Sequence, residues 1–127
     1  MPDHKIGTTH SFENLVTAYK ADPQADGDAH FLLYRGEEIL ALCLRHKFNP
    51  EPNEVWVGDG KLVAGWGERL AALKGKRTVP LYFCPRQRTL YEFRGQQLIT
   101  GDTVVLEELK ARKGPVPLSR VVFIKSV

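Results

Sequence analysis

Residues 31–44 read Phe31-Leu32-Leu33-Tyr34-Arg35-Gly36-Glu37-Glu38-Ile39-Leu40-Ala41-Leu42-Cys43-Leu44, two apolar runs around a polar centre that contains Gly36. This composition predicts a β-hairpin with Gly36 in the turn. The second run is apolar at consecutive positions, so both of its faces need cover, and it belongs in the middle of a packed sheet or in a barrel wall backed by helices. Further on, Pro50 and Pro52 forbid regular pairing, which makes residues 46–53 a loop leading into a short strand over 54–57. After Gly58-Asp59-Gly60, the residues Leu62, Val63, Trp66, Leu70 and Leu73 recur on one helical face up to Gly75. Gly65 and Gly67 flank Trp66 and weaken that helix by up to about 1 kcal/mol each relative to alanine, which suggests close approach of another backbone.

A second hairpin follows, with strands over 78–84 and 89–93 around Pro85-Arg86-Gln87-Arg88, and the chain runs on toward Leu98-Ile99. Residues 103–112 mix two signals. Val104-Val105-Leu106 favours a strand, whereas Glu107 to Arg112 favours a helix that Asp102 can cap, and the helix is the stronger reading. Gly114-Pro115-Val116-Pro117 is a break, and Arg120-Val121-Val122-Phe123-Ile124 is a last strand. Upstream, Phe12, Leu15, Val16 and Tyr19 lie at helical spacing with Thr9 or Ser11 as N-cap, and residues 21–29 form an exposed, acidic connection. Five to seven strands arranged in consecutive hairpins, with two or three flanking helices, predict an α+β fold built on a small, mostly antiparallel β-barrel. Within one globular domain, residues 1–29 are the helix and connection, and residues 30–127 the barrel.

The 127 residues are enough to bury roughly two-thirds of the unfolded surface without metal or disulfide. With 43% hydrophobic and 26% charged residues, the chain has an ordinary globular composition. Net charge is only +3, so a nucleic-acid function has to rest on clustering of charge. Cys43 and Cys84 sit in separate apolar runs and read as buried free thiols in a reducing compartment, although a bridge between adjacent strands is also possible. No apolar leader and no run of about 18 apolar residues occurs, so the expected location is the cytoplasm, with no membrane partner.

Between residues 74 and 94 six basic side chains, Lys74, Lys76, Arg77, Arg86, Arg88 and Arg94, stand against the single acid Glu92, with Tyr82, Phe83, Tyr91 and Phe93 among them. Guanidinium forks bind phosphates and aromatic faces stack bases at about 1–3 kcal/mol each, so this mixture suits a nucleic-acid surface. A solvated turn beside core aromatics has the same composition. Trp56 and Trp66 fit the core, unless one lines an open pocket and stacks an extruded base. Asn49 and Asn53 carry amides able to pair with a base edge, and asparagine beside proline is equally ordinary turn chemistry. The four histidines lack metal-ligand spacing, the serines lack an elbow context, and the glycines of residues 57–61 match neither a P-loop nor a dinucleotide fingerprint. No catalytic set, metal or cofactor is expected.

The succession of Glu54-Val55-Trp56-Val57-Gly58, a helix around Trp66, Val79-Pro80-Leu81-Tyr82-Phe83, Tyr91-Glu92-Phe93-Arg94-Gly95 and Leu118-Ser119-Arg120-Val121-Val122-Phe123 resembles the SRA-like and PUA-like domains that accompany bacterial restriction nucleases. The resemblance implies a barrel whose pocket holds a flipped, modified base between aromatic rings while basic loops grip the backbone. It places Trp56 with Tyr91 or Phe93 on the base, and the amide of Asn49 is the candidate edge reader beside them. It places Lys47, Arg86, Arg88 and Arg94 on phosphates, and Lys76 and Arg77 of the same basic cluster are expected to bind phosphates with them. The implied function is a non-catalytic DNA-binding module. With no nuclease attached, such a module would act alone, recruit a nuclease partner in trans, or be an excised fragment. An RNA-binding PUA-like module is one alternative, and an accessory subunit docking through the face of Phe12, Leu15, Val16 and Tyr19 is another.

Overall fold

The computed structural model describes residues 2–24 and 31–127. Most of the expected connection at 21–29, and the expected boundary at 29/30, lie outside the described residues. The elements are β1 (Thr9–His10), α1 (Phe12–Tyr19), β2 (Leu32–Arg35), β3 (Glu38–Arg45), β4 (Glu54–Gly58), α2 (Lys61–Ala71), β5 (Thr78–Cys84), β6 (Tyr91–Thr103), α3 (Leu106–Lys110) and β7 (Leu118–Ser126).

Ser11 opens α1, its hydroxyl accepting the Asn14 backbone N–H at 3.1 Å, and left-handed Lys20 closes it. The hairpin β2–β3 forms around Gly36, whose φ is 61°. Ile39 to Leu44 are all buried, as a strand apolar on both faces requires. Asp102 does not cap α3; it pairs with Arg120, and Val105 holds the N-cap position without a side-chain bond. The Thr103 hydroxyl serves that turn instead, accepting the Val105 N–H at 3.1 Å.

The strand order is β2-β3-β5-β6-β7-β4, with β1 added to β6 where β7 does not reach. This corrects the expectation of consecutive hairpins in a closed barrel. β3 and β5 run parallel, joined by a crossover containing β4 and α2, and β4 travels to the far side to pair with β7. The sheet is therefore mixed and curls into an open half-barrel whose edges, β2 and β4, do not pair with each other. Each edge is satisfied locally. Along β2, the Asp22 backbone N–H donates to the Tyr34 carbonyl at 2.8 Å and Gln24 Nε2 to the Leu32 carbonyl at 2.7 Å. Along β4, the Trp56 N–H donates to Asn49 Oδ1 at 2.7 Å. Edges with partners of their own have no need to close on one another.

Every long strand feeds the inner core, through Leu32, Leu42, Val57, Leu81, Ile99 and Val122, and α2 fills the trough with Trp66 and Leu70. On the outer face α1 covers part of the sheet with Leu15 and Tyr19, and α3 covers another part with Leu109 against Trp56 and Val121. β6 serves both sides. It buries Tyr91, Phe93, Gly95, Gln97 and Ile99, all odd positions, yet Tyr91 and Phe93 pack outward under α1 while Ile99 packs inward. A register shift opposite Leu81/Tyr82, with Gly95 at φ 87°, inserts Arg94 as an extra residue and turns the strand over.

Candidate functional site

Where the two ends of the curled sheet approach each other there is a cavity of about 560 Å³. Phe31 with Cys43 and Arg45 of β3 lines one part, and Trp56 and Gly58 of β4 another. Between them, Phe48 and Asn49 come from the proline-containing loop that joins those strands. The volume lies in the range of pockets that take small organic ligands, roughly 300–1,000 Å³. Burial pushes the Cys43 thiol upward, so it lines the cavity as neutral S–H rather than as a nucleophile. Both cysteines are free and buried.

Trp56 is 7% exposed and its indole is fixed from several sides. Its Nε1–H donates to Glu54 Oε1 at 2.9 Å, and Arg112 grips the same carboxylate through Nε at 2.9 Å and Nη2 at 3.0 Å. A Cβ on Gly114 would stand 3.2 Å from the indole ring, so the 114–118 segment lies close against it. The Arg112 guanidinium, with help from the indole N–H, holds the Glu54 carboxyl below its usual range. A depressed carboxyl contributes stability that is complete above its ordinary pKa near 4.5 and is lost as pH falls through the lower folded value. Denaturant midpoints should therefore fall on acidification below about pH 4.5, and Glu54→Gln should flatten that part of the profile; parallel profiles for the two proteins would contradict the assignment.

The basic residues form two groups rather than one. β3 and β5 are parallel neighbours that end together, Arg45 opposite Cys84, and the His46 N–H donates to the Cys84 carbonyl at 3.0 Å. Arg45, Lys47, Arg86 and Arg88 therefore follow the shared end of β3 and β5, and of these Arg45 lines the cavity. The Lys47 ammonium lies 5.4 Å from the ring of Phe48, itself a wall of the cavity. Arg94 pairs with Glu92 at 2.6 Å and lies over the Phe83 ring at 4.9 Å, near the same end. Lys76 and Arg77 stand at the opposite end of β5, about 23 Å away for seven strand residues. Arg77 is used there as a brace, donating to the carbonyls of Ile39 and Thr78.

The expected meeting of Trp56 with Tyr91 and Phe93 does not occur. Tyr91 is 5% and Phe93 8% exposed, both packed under α1 with Leu15 and Tyr82, and neither lines the cavity. Burial pushes the Tyr91 hydroxyl up to about 12. Its ring borders a separate cleft with Ser11, Glu13 and Thr89, which shares only Arg45 with the cavity. Asn49 does line the cavity, at 2% exposure, and its first role is to satisfy the Trp56 N–H.

Sequence reasoning missed Phe31, Arg45 and Phe48 as lining residues; an arginine closing an apolar strand and a phenylalanine in a proline-rich loop were the available signals. It also missed a hydrogen-bonded chain from His4 Nδ1 to the Tyr82 hydroxyl at 2.6 Å and on to the Tyr19 hydroxyl at 2.8 Å, with His4 stacked on His10 at 3.9 Å. Among the described residues no helix is long and apolar enough to cross a membrane. No family model matches the chain, and neither the curated proteins nor the solved structures contain a match to it.

Proposed function

We propose that this chain is a non-catalytic nucleic-acid-binding module that takes one extruded base into the cavity at the sheet seam, with the cations beside it on the backbone. The observation that carries this reading is the position of a largely apolar cavity, walled by Phe31, Phe48 and Trp56, at the end of the sheet where Arg45, Lys47, Arg86 and Arg88 collect. Aromatic walls favour a planar ring, and a cationic rim favours the phosphates on either side of it. The modified-base preference, and DNA ahead of RNA, come from the resemblance to SRA-like and PUA-like domains. Docking of a partner through α1 loses its premise, because Leu15 and Tyr19 are buried against this chain's own sheet.

A salt titration with matched single-stranded and duplex DNA tests the reading. Four rim cations predict a log–log slope of affinity against salt near −3 on single strands and near −3.6 on duplex, at about 0.7 and 0.9 per phosphate contact. A slope near zero on both would remove it. Competition with the matched RNA strand ranks the two sugars, and preference for RNA would move the assignment to the RNA-binding alternative.

A further inference from the structure

Resting on the base-binding reading above, we infer that the cavity selects a base with a carbonyl, rather than an amino group, at the position farthest from its sugar, and that Asn49 Nδ2 is the donor that reads it. The amide orientation follows from elementary chemistry. Asn49 Oδ1 lies 2.7 Å from the Trp56 backbone nitrogen, which can only donate, so the oxygen must face it and the NH₂ must point elsewhere. A flipped amide would set two donors against each other. That NH₂ belongs to a residue 2% exposed in the cavity lining, and it makes no hydrogen bond among the described residues. The other indole-side donor of the lining, Trp56 Nε1–H, is already committed to Glu54.

The glycosidic bond fixes which part of a base reaches Asn49. Sugar and phosphates stay at the mouth with Arg45 and Lys47, so the buried amide meets the distal edge: the 4-substituent of a pyrimidine or the 6-substituent of a purine. Thymine, uracil and guanine carry a carbonyl there, and cytosine and adenine an amino group. An amino group against NH₂ leaves both unpaired in a desolvated site, which costs more than the absent bond alone. Asp59, exposed at the rim, is the acceptor that could compete for the role.

The deciding pair is thymine against 5-methylcytosine, which share a ring, a 5-methyl group and stacking area and differ only on the Watson–Crick edge, at position 4 and in whether N3 carries a proton. Short single-stranded oligonucleotides with one or the other at the centre, and an abasic control, should bind the wild-type protein with thymine ahead by about tenfold. Asn49→Asp keeps an oxygen for the Trp56 N–H and replaces the donor by an acceptor; at mildly alkaline pH it should abolish or reverse the preference. Equal binding of the two wild-type complexes with an intact salt slope, or a preference for 5-methylcytosine, overturns the inference and leaves the nucleic-acid reading standing. Absence of binding to every oligonucleotide overturns both. A shift in the ratio with Asp59→Asn but not with Asn49→Asp assigns the reading to the rim and also overturns it. The wild-type comparison decides the matter even if Asn49→Asp fails to fold.

Discussion

Replacing Gly67 by alanine is expected to destabilise the protein by about 1–3 kcal/mol, whereas the same change two residues earlier, at Gly65, is expected to stabilise it by up to about 1 kcal/mol. Both glycines lie inside α2, and each forfeits the same helical preference relative to alanine. Their surroundings differ. A Cβ at Gly65 meets nothing within 4 Å, but one at Gly67 would fall 2.5 Å from Val57 Cγ1 and 3.0 Å from Cγ2. Val57 is β-branched, fully buried and held in β4, so it has little rotamer freedom with which to retreat. The helix must lift off the strand instead, and with it Trp66 and Leu70, which fill the half-barrel. The close neighbour is therefore a valine side chain, not the backbone that sequence reasoning anticipates. Denaturant unfolding of both single variants, of Val57→Ala and of Gly67→Ala with Val57→Ala, measures the effect. The double variant should lose less than the sum of its singles because both Cγ contacts are gone and only the Val57 Cβ, at 3.1 Å, remains; strict additivity would mean that the two residues do not collide.

How far the sequence could be read depends on which physical signal each feature leaves in it. Local signals held in the main: the Ser11 cap, the Gly36 turn and the stripe through Trp66 and Leu70 each involve residues within a few positions of one another, although α2 stops at Ala71 short of Gly75 and leaves Leu62 exposed. Strand partnership left no such signal. The pattern of β3 states that both faces are covered, but nothing in it says that the neighbour is parallel β5 or that β4 crosses to β7. In β6 the pattern misleads, since unbroken odd-position burial reads as one face while Gly95 turns the strand over midway. That turn is what separates Tyr91 and Phe93 from the inner core and from the cavity. Trp56 and Asn49 were legible as candidates from residue type alone, yet the bond between them, which sets what Asn49 can offer, exists only once a loop folds back on an edge strand.

The same geometry divides the basic residues, and the division carries the largest expected effect on binding. Exchanging Lys47, Arg86 and Arg88 together for alanine should weaken binding of duplex DNA at about 0.1 M salt by two orders of magnitude or more, because three phosphate contacts at about 0.9 each remove roughly 2.7 from the log–log slope. Exchanging Lys76 and Arg77 should leave that slope unchanged. The variants lose three and two positive charges, and all but Lys47 come from the same short stretch of sequence, so a nonspecific response to net charge would affect both in about that proportion. What separates them is the length of β5. Arg77 braces the starts of β3 and β5, so its loss should appear in thermal stability instead. If the two variants lost slope equally, the cations would be acting as a diffuse field rather than as a rim around the cavity. If neither lost any, the bound phosphates would have to lie elsewhere on the molecule, and the seam between β3 and β4 would lose its claim to the base.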